Sequence, residues 1–215
     1  MILQGRVSVN RRQAELGDSA DTSLDIIRVD GKSLPAKPET ICLMLYKPRG
    51  YVTTLSDEHG RKTAAELVDC GCRVYPIGRL DYASEGLLLF TNDGELANRL
   101  MHPKGGVEKV YEVTVTGRLE GALERLSQPI VLDGYKIKAP KVRLLREREN
   151  KAAFEVTIFE GRNRQIRRMC EVAELKVLRL CRVKEGSISL GKLPVGKWRY
   201  LTKEELENLR KEGKV

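Results

Sequence analysis

Arg79 and Asp81 stand two residues apart in the string Gly78-Arg79-Leu80-Asp81-Tyr82-Ala83-Ser84-Glu85-Gly86, which runs directly into the apolar segment Leu87-Leu88-Leu89-Phe90. A carboxylate in a glycine-bounded loop beside a buried strand is held rigidly, as a nucleophile or general base must be. A second cluster lies in Glu160-Gly161-Arg162-Asn163-Arg164-Gln165-Ile166-Arg167-Arg168-Met169. It opens an amphipathic helix whose Ile166, Met169, Cys170 and Ala173 face inward, and its four arginines suit a surface that binds phosphates. Together these strings point to acid–base or nucleophilic chemistry on a polyanion.

Composition agrees with that partner. The chain carries 39 Lys+Arg against 30 Asp+Glu, a net charge of +9 in 215 residues. A surplus of that size favours nucleic acid. A hydrophobic share of 41% is enough for a core, and the length fits one domain with a small appendage. The five cysteines, at 42, 70, 72, 170 and 181, form no regular framework, and Cys70-Gly71-Cys72 lacks the usual zinc or redox spacing. His59 and His102 stand outside any metal-ligand cluster. No apolar run approaches the ~20 residues that span a bilayer, and no signal peptide opens the chain. The expectation is a cytoplasmic, monomeric protein with reduced thiols, no metal and no membrane partner.

The elements that must position these residues follow from local patterns. Residues 5–10 and 25–31 read as two short strands, the second ending in an Asp-Gly turn. Pro35-Ala36-Lys37-Pro38 breaks helix and ladder alike and reads as a linker. A strand over 41–46 stops at Lys47-Pro48-Arg49-Gly50, and 63–68 reads as a short helix. Asn92 or Asp93 caps a helix through Met101 that Pro103 stops. Residues 109–116 alternate, with Tyr111, Val113 and Val115 on one face, and Leu119, Leu123 and Leu126 fall at helical spacing. Residues 134–159 read as a long hairpin turning near Glu149-Asn150, followed by the basic helix to Ala173 and strands over 177–181 and 186–190. Thr202-Lys203-Glu204-Glu205 has capping-box spacing and starts the last helix. Strands in blocks, without strict βα alternation, predict an α+β fold with a mostly antiparallel sheet.

The Gly78–Gly94 string closely resembles the catalytic motif of pseudouridine synthases, in the form of the branch that modifies ribosomal RNA, which includes small-subunit (RsuA-like) and large-subunit (RluB-like) enzymes. The resemblance implies that Asp81 is catalytic and that Arg79 fills the space a flipped base vacates. Glu108-Lys109-Val110-Tyr111-Glu112-Val113 is similar to the family strand whose tyrosine stacks on the target base, which gives that role to Tyr111. The arginine cluster matches the family motif in which the Arg after Gln-Ile pairs with the catalytic Asp. Arg167 is then the partner, and Arg162, Arg164 and Arg168 are candidates for RNA backbone. Val177-Leu178-Arg179-Leu180-Cys181-Arg182 resembles a closing strand that lines the pocket through Leu180, and Lys47, in a Lys-Pro-x-Gly string like the family's first motif, is a further RNA-backbone candidate.

Residues 1–34 resemble the second half of an S4 RNA-binding domain, lacking the helix pair that precedes it in the family. The implied organisation is a partial S4-like segment (1–34), a linker (35–40) and a catalytic domain (41–215) whose two-part, mostly antiparallel sheet is flanked by helices around a basic cleft. Uridine isomerisation in ribosomal RNA breaks the C1′–N1 bond and rejoins C1′ to C5. It oxidises and hydrolyses nothing, so no cofactor is implied. The carboxylate acts either as a nucleophile or by removing the C2′ proton. Two alternatives are a catalytically idle RNA-binding factor and a glycoside hydrolase pairing Asp81 with Glu85.

Overall fold

The structure, a computed structural model, describes residues 1–21, 24–34, 39–102 and 105–213. The expected linker at 35–38 and the helix stop at Pro103 lie outside the described residues. Two compact units divide the chain, Met1–Thr40 and Ile41–Val215.

The first unit holds β1 (Val7–Val9), β2 (Arg12–Gln13), β3 (Ile27–Val29) and β4 (Lys32–Ser33), in the order β2-β1-β3-β4. The β3–β4 turn uses Asp30 and Gly31, both at positive φ, as the Asp-Gly signal predicts. Ala14 is its buried apolar residue among those described. An Arg6–Asp30 pair with contacts of 2.7 and 2.6 Å ties β1 to the turn.

The second unit contains β5 (Cys42–Lys47), β6 (Tyr75–Ile77), β7 (Glu85–Thr91), α1 (Gly94–Met101), β8 (Lys109–Gly117), α2 (Ala122–Ser127), β9 (Val131–Leu132), β10 (Tyr135–Lys136), β11 (Lys141–Arg148) and β12 (Lys151–Ile158). It continues with α3 (Gln165–Val172), β13 (Leu175–Glu185), β14 (Ile188–Ser189), β15 (Trp198–Tyr200) and α4 (Lys203–Lys211). Its main sheet runs β11-β12-β8-β13-β7-β5-β15, with β14 beside β13 and β6 beside β7. Every described strand-to-strand pairing is antiparallel except β7 with β13, which runs parallel through two residue pairs, Cys181↔Glu85 and Arg182↔Gly86; one isolated parallel bridge also joins Val52 to Thr63 outside the strands. Two antiparallel halves thus meet at a short parallel joint. The fold is α+β and two-part.

The apolar run of β7 is buried on both faces. Leu88 and Phe90 enter one core cluster with Tyr111, Val113 and Val115, whereas Leu87 and Leu89 enter the other with Met44 and Ile77. Each such side chain contributes roughly 1.5–3 kcal/mol by leaving water, so β7 is a stiff base for whatever precedes it. Gly86 is required at the joint. Its φ is +110°, and a Cβ there would lie 2.3 Å from the Arg182 carbonyl oxygen.

Capping follows the local signals. Asp93 accepts from the backbone N–H groups of Glu95 and Leu96 at the start of α1, and Thr202 with Glu205 completes a capping box on α4. Three expectations are corrected. The 63–68 segment is a single 3₁₀ turn, Ala65–Leu67. The 134–159 hairpin starts at Lys141, because Tyr135 and Lys136 pair with β9 instead. The strands expected at 177–181 and 186–190 are one strand running to Glu185 and a two-residue partner, since Arg182 and Glu185 are buried and keep the ladder going. Finally, β6 and β15 were not foreseen, being too short for a periodic signal.

Candidate active site

The Asp81 loop sits at the parallel joint, and its backbone is clamped at five successive carbonyls. Leu80 O accepts from Thr53 Oγ1 (2.8 Å), Tyr82 O from the Gly50 N–H (2.8 Å) and Ala83 O from Arg167 Nη2 (2.9 Å). Lys47 Nζ donates to Asp81 O (3.2 Å), Ser84 O (2.8 Å) and Pro48 O (3.0 Å). All three ammonium protons are therefore used on backbone. The Asp81 side chain is half-buried, and no hydrogen bond or ion pair holds its carboxylate among the described residues. A fixed backbone carrying an unengaged carboxylate is what a reacting group needs.

Lys47 is corrected by this geometry. It is fully buried, so it braces the loop from beneath and cannot reach an RNA backbone. Burial pulls its pKa down to about 8, with Asp81 and Glu85 opposing and Arg182 adding to the fall. Arg167 does not form the expected direct ion pair with Asp81. Its guanidinium bonds Ala83 O and Ser84 Oγ (3.3 Å), and it acts on the carboxylate through space. Burial, then the neighbouring Arg164, pull Arg167 below its ordinary value, while Asp81 opposes. Arg168 is also corrected: its guanidinium forms a fork on Asp133 at 2.6 and 2.8 Å, tying α3 to the β9–β10 turn and leaving it outside the cavity lining.

Asp81 opens into a cavity of about 470 Å³, within the usual range for small-molecule and nucleotide sites. Arg79, Tyr111, Leu180, Arg162 and Arg164 line it with Asp81, so most of the expected residues converge. Arg79 is exposed at the rim. Tyr111 and Leu180 are buried in the wall. Arg162 stacks 3.4 Å over the Tyr135 ring and reaches Glu160 at 3.5 Å, and Arg164, at φ 49°, opens α3 facing solvent. The lining holds five cations and three carboxylates, which makes the cleft basic.

The inner wall contains residues to which the sequence reading gave no role. Arg182 and Glu185 on β13 face Tyr111 and Lys109 on β8 across the ladder. Arg182 Nε donates to Leu87 O at 2.7 Å, and Lys109 Nζ lies 3.8 Å from Glu185 Oε1. Burial opposes the charge on Arg182, but Glu185 and Tyr111 together hold its pKa above the ordinary value. Burial raises the Tyr111 hydroxyl and lowers Lys109. The one available signal was an arginine inside an apolar strand with a glutamate three residues on. Glu85 is absent from the lining, and its carboxylate is bound by Arg179 Nε at 2.6 Å, so a hydrolase pairing of Asp81 with Glu85 finds no support.

A free carboxylate on a clamped loop, in a basic cleft with an aromatic wall, defines an enzyme acting on nucleic acid rather than a passive binding module. Residues 41–172 match the family model for RNA pseudouridylate synthase, and the chain belongs to that family. It is 43% identical over 216 residues to an uncharacterized RNA pseudouridine synthase of Aquifex aeolicus, covering 98% of this chain and 86% of the relative. It is 40% identical to ribosomal large subunit pseudouridine synthase B of Bacillus subtilis, covering 98% and 87%. Among solved structures, a pseudouridylate synthase superposes with a TM-score of 0.72 at 31% identity, covering 97% of this chain and 90% of that one.

Proposed function

We propose that this protein converts a specific uridine of large-subunit ribosomal RNA to pseudouridine, with Asp81 as its catalytic residue. The observation that carries the residue assignment is the unpaired Asp81 carboxylate on its clamped loop beside Tyr111. The name of the Bacillus subtilis relative supports the large subunit. The net charge of +9 suits the RNA partner.

The target base leaves its stack, a cost of a few kcal/mol, and Arg79 at the rim takes the space left behind. Tyr111 and Leu180 sandwich the ring. The Asp81 carboxylate acts on the ribose, at C1′ as nucleophile or on the C2′ proton. The C1′–N1 bond breaks with its electron pair moving to the ring, the ring turns, and C1′ bonds to C5. C5 then loses its proton and N1 gains one, so the reaction is an isomerisation and release of C5 tritium reports it directly. Arg162 and Arg164 lie where flanking phosphates would run. The first unit, as an S4-like segment, adds RNA contacts through its own cations. Cytoplasmic residence, where ribosomal RNA is found, agrees with five free cysteines; no described helix is long and apolar enough to cross a membrane.

Two variants test the supports of Asp81. Arg167→Ala should cut turnover on the order of 10²-fold, the scale of about a 1 Å misplacement, by releasing Ala83 O and removing the nearby positive charge. Arg167→Lys should recover only part, because Nη2, the donor of both bonds, sits at the end of a longer side chain than lysine's and a compact ammonium carried closer to the backbone falls short of the two acceptors. Wild-type rates in both would remove Arg167 from the site.

Lys47 gives a pH signature. With its folded pKa near 8, turnover should fall as pH rises through about 8, as the amine loses one of three donated protons and its charge. Stability should move oppositely. The folded chain gives up this proton before the unfolded chain does, so stability grows from about pH 8 towards the ordinary lysine value of 10.5. Lys47→Met should abolish both limbs. A rate that stays flat across about pH 8 in the wild type would exclude this brace.

A further inference from the structure

The geometry points to Arg182 and Glu185 as the reader of the hydrogen-bonding edge of the uracil, gripping it through its rotation. This rests on the isomerase reading above. Among the described residues, Arg182 Nη2 and Glu185 Oε2 are both buried without a hydrogen-bond partner, although they lie 3.2 Å apart as an ion pair. The side chains are 1% and 4% exposed, and both residues line the cavity that holds Asp81. Each is also held from behind, Arg182 by Leu87 O and Glu185 by Lys109. A buried donor and acceptor left idle side by side are costly unless a ligand completes them.

Uracil offers the matching pair. Its N3–H donates and the carbonyl beside it accepts, so N3–H fits Glu185 Oε2 and a ring carbonyl fits Arg182 Nη2. Cytosine, with an acceptor at N3 and an amine at C4, presents the reverse pattern. Tyr111 stands opposite Arg182 in the ladder, so the residue that would stack on the ring and the residues that would read its edge share one wall.

The reaction adds a second requirement. Bringing C5 to the place of N1 turns the ring about its N3–C6 axis, which exchanges O2 with O4 and leaves N3–H where it was. A grip on N3–H and a flanking carbonyl therefore serves equally before and after the turn. When the C1′–N1 pair moves onto the ring, charge spreads to its carbonyls, and the wall meets it with Arg182 and Lys109 against one carboxylate.

The test uses ribosomal RNA fragments with C5-tritiated uridine or C5-tritiated N3-methyluridine at the target position. Single-turnover tritium release is measured for the wild type, Glu185→Ala and Glu185→Gln, with thermal melts to verify folding. The wild type should prefer uridine by about 10–100-fold, the scale of a hydrogen bond to a charged group. In Glu185→Ala that preference should collapse towards unity. Should the alanine variant fail to fold, Glu185→Gln, which keeps the shape and a weaker uncharged acceptor, should show an intermediate preference. No preference in the wild type, or one unchanged in the folded variants, overturns the assignment. Absence of tritium release from any ribosomal uridine would instead overturn the isomerase reading itself.

Discussion

Asp81→Asn is expected to abolish isomerisation while leaving the fold and RNA affinity nearly intact. The two side chains are almost isosteric, and among the described residues the carboxylate has no hydrogen-bonded or ion-paired partner that the change would orphan. Its backbone clamps through Thr53, Lys47, Gly50 and Arg167 do not involve the side chain. What disappears is the only carboxylate of the loop facing the cavity, and with it the nucleophile or base. Acid–base roles alone contribute about 10²–10⁴-fold. Tritium release above roughly a thousandth of the wild-type rate would shift the chemistry to another group. A large fall in melting temperature would mean that Asp81 has a structural task as well.

Gly86→Ala should be nearly as damaging, through the fold. At φ +110° an L-residue is strained before any contact is considered, and the new Cβ meets Arg182 backbone oxygen at 2.3 Å and nitrogen at 2.6 Å. Neither atom belongs to a flexible side chain that can move away. Overpacking costs about 1–3 kcal/mol and the backbone strain a comparable amount, a large part of a total stability near 5–15 kcal/mol. The parallel joint consists of two residue pairs, one of which is this glycine with Arg182. Melting temperature and turnover should therefore fall together. An unchanged melt would show that the halves of the sheet do not depend on this close approach.

Short-range signals carried much of the fold. The Asp93 and Thr202 caps, the alternation of Tyr111, Val113 and Val115, and the apolar run of β7 each arise within a few neighbouring residues. The motif strings brought Asp81, Tyr111, Leu180, Arg162 and Arg164 to one cavity for the same reason. What local patterns missed depends on distant partners. Lys47 resembles a surface lysine in a proline turn until the Asp81 loop, 34 and 37 residues away, covers it. Arg168 looks free until Asp133, 35 residues away, takes its guanidinium. Arg182 and Glu185 fall between the strands expected at 177–181 and 186–190, yet both are interior. Charge on a residue type does not report which side of a sheet will be covered.

The clamps on the Asp81 loop also determine when the site can exist. Arg167 reaches Ala83 across 84 residues, and Arg182 reaches Leu87 across 95. Contacts of such sequence separation form slowly, since long loops must close before any of them is rewarded. The β11–β12 hairpin, by contrast, needs only its own turn. During refolding, secondary structure should return first and competence for catalysis last, with an intervening species whose Asp81 loop is still slack. An RNA substrate would then meet this protein either as a complete catalyst or as an inactive chain with an unclosed centre.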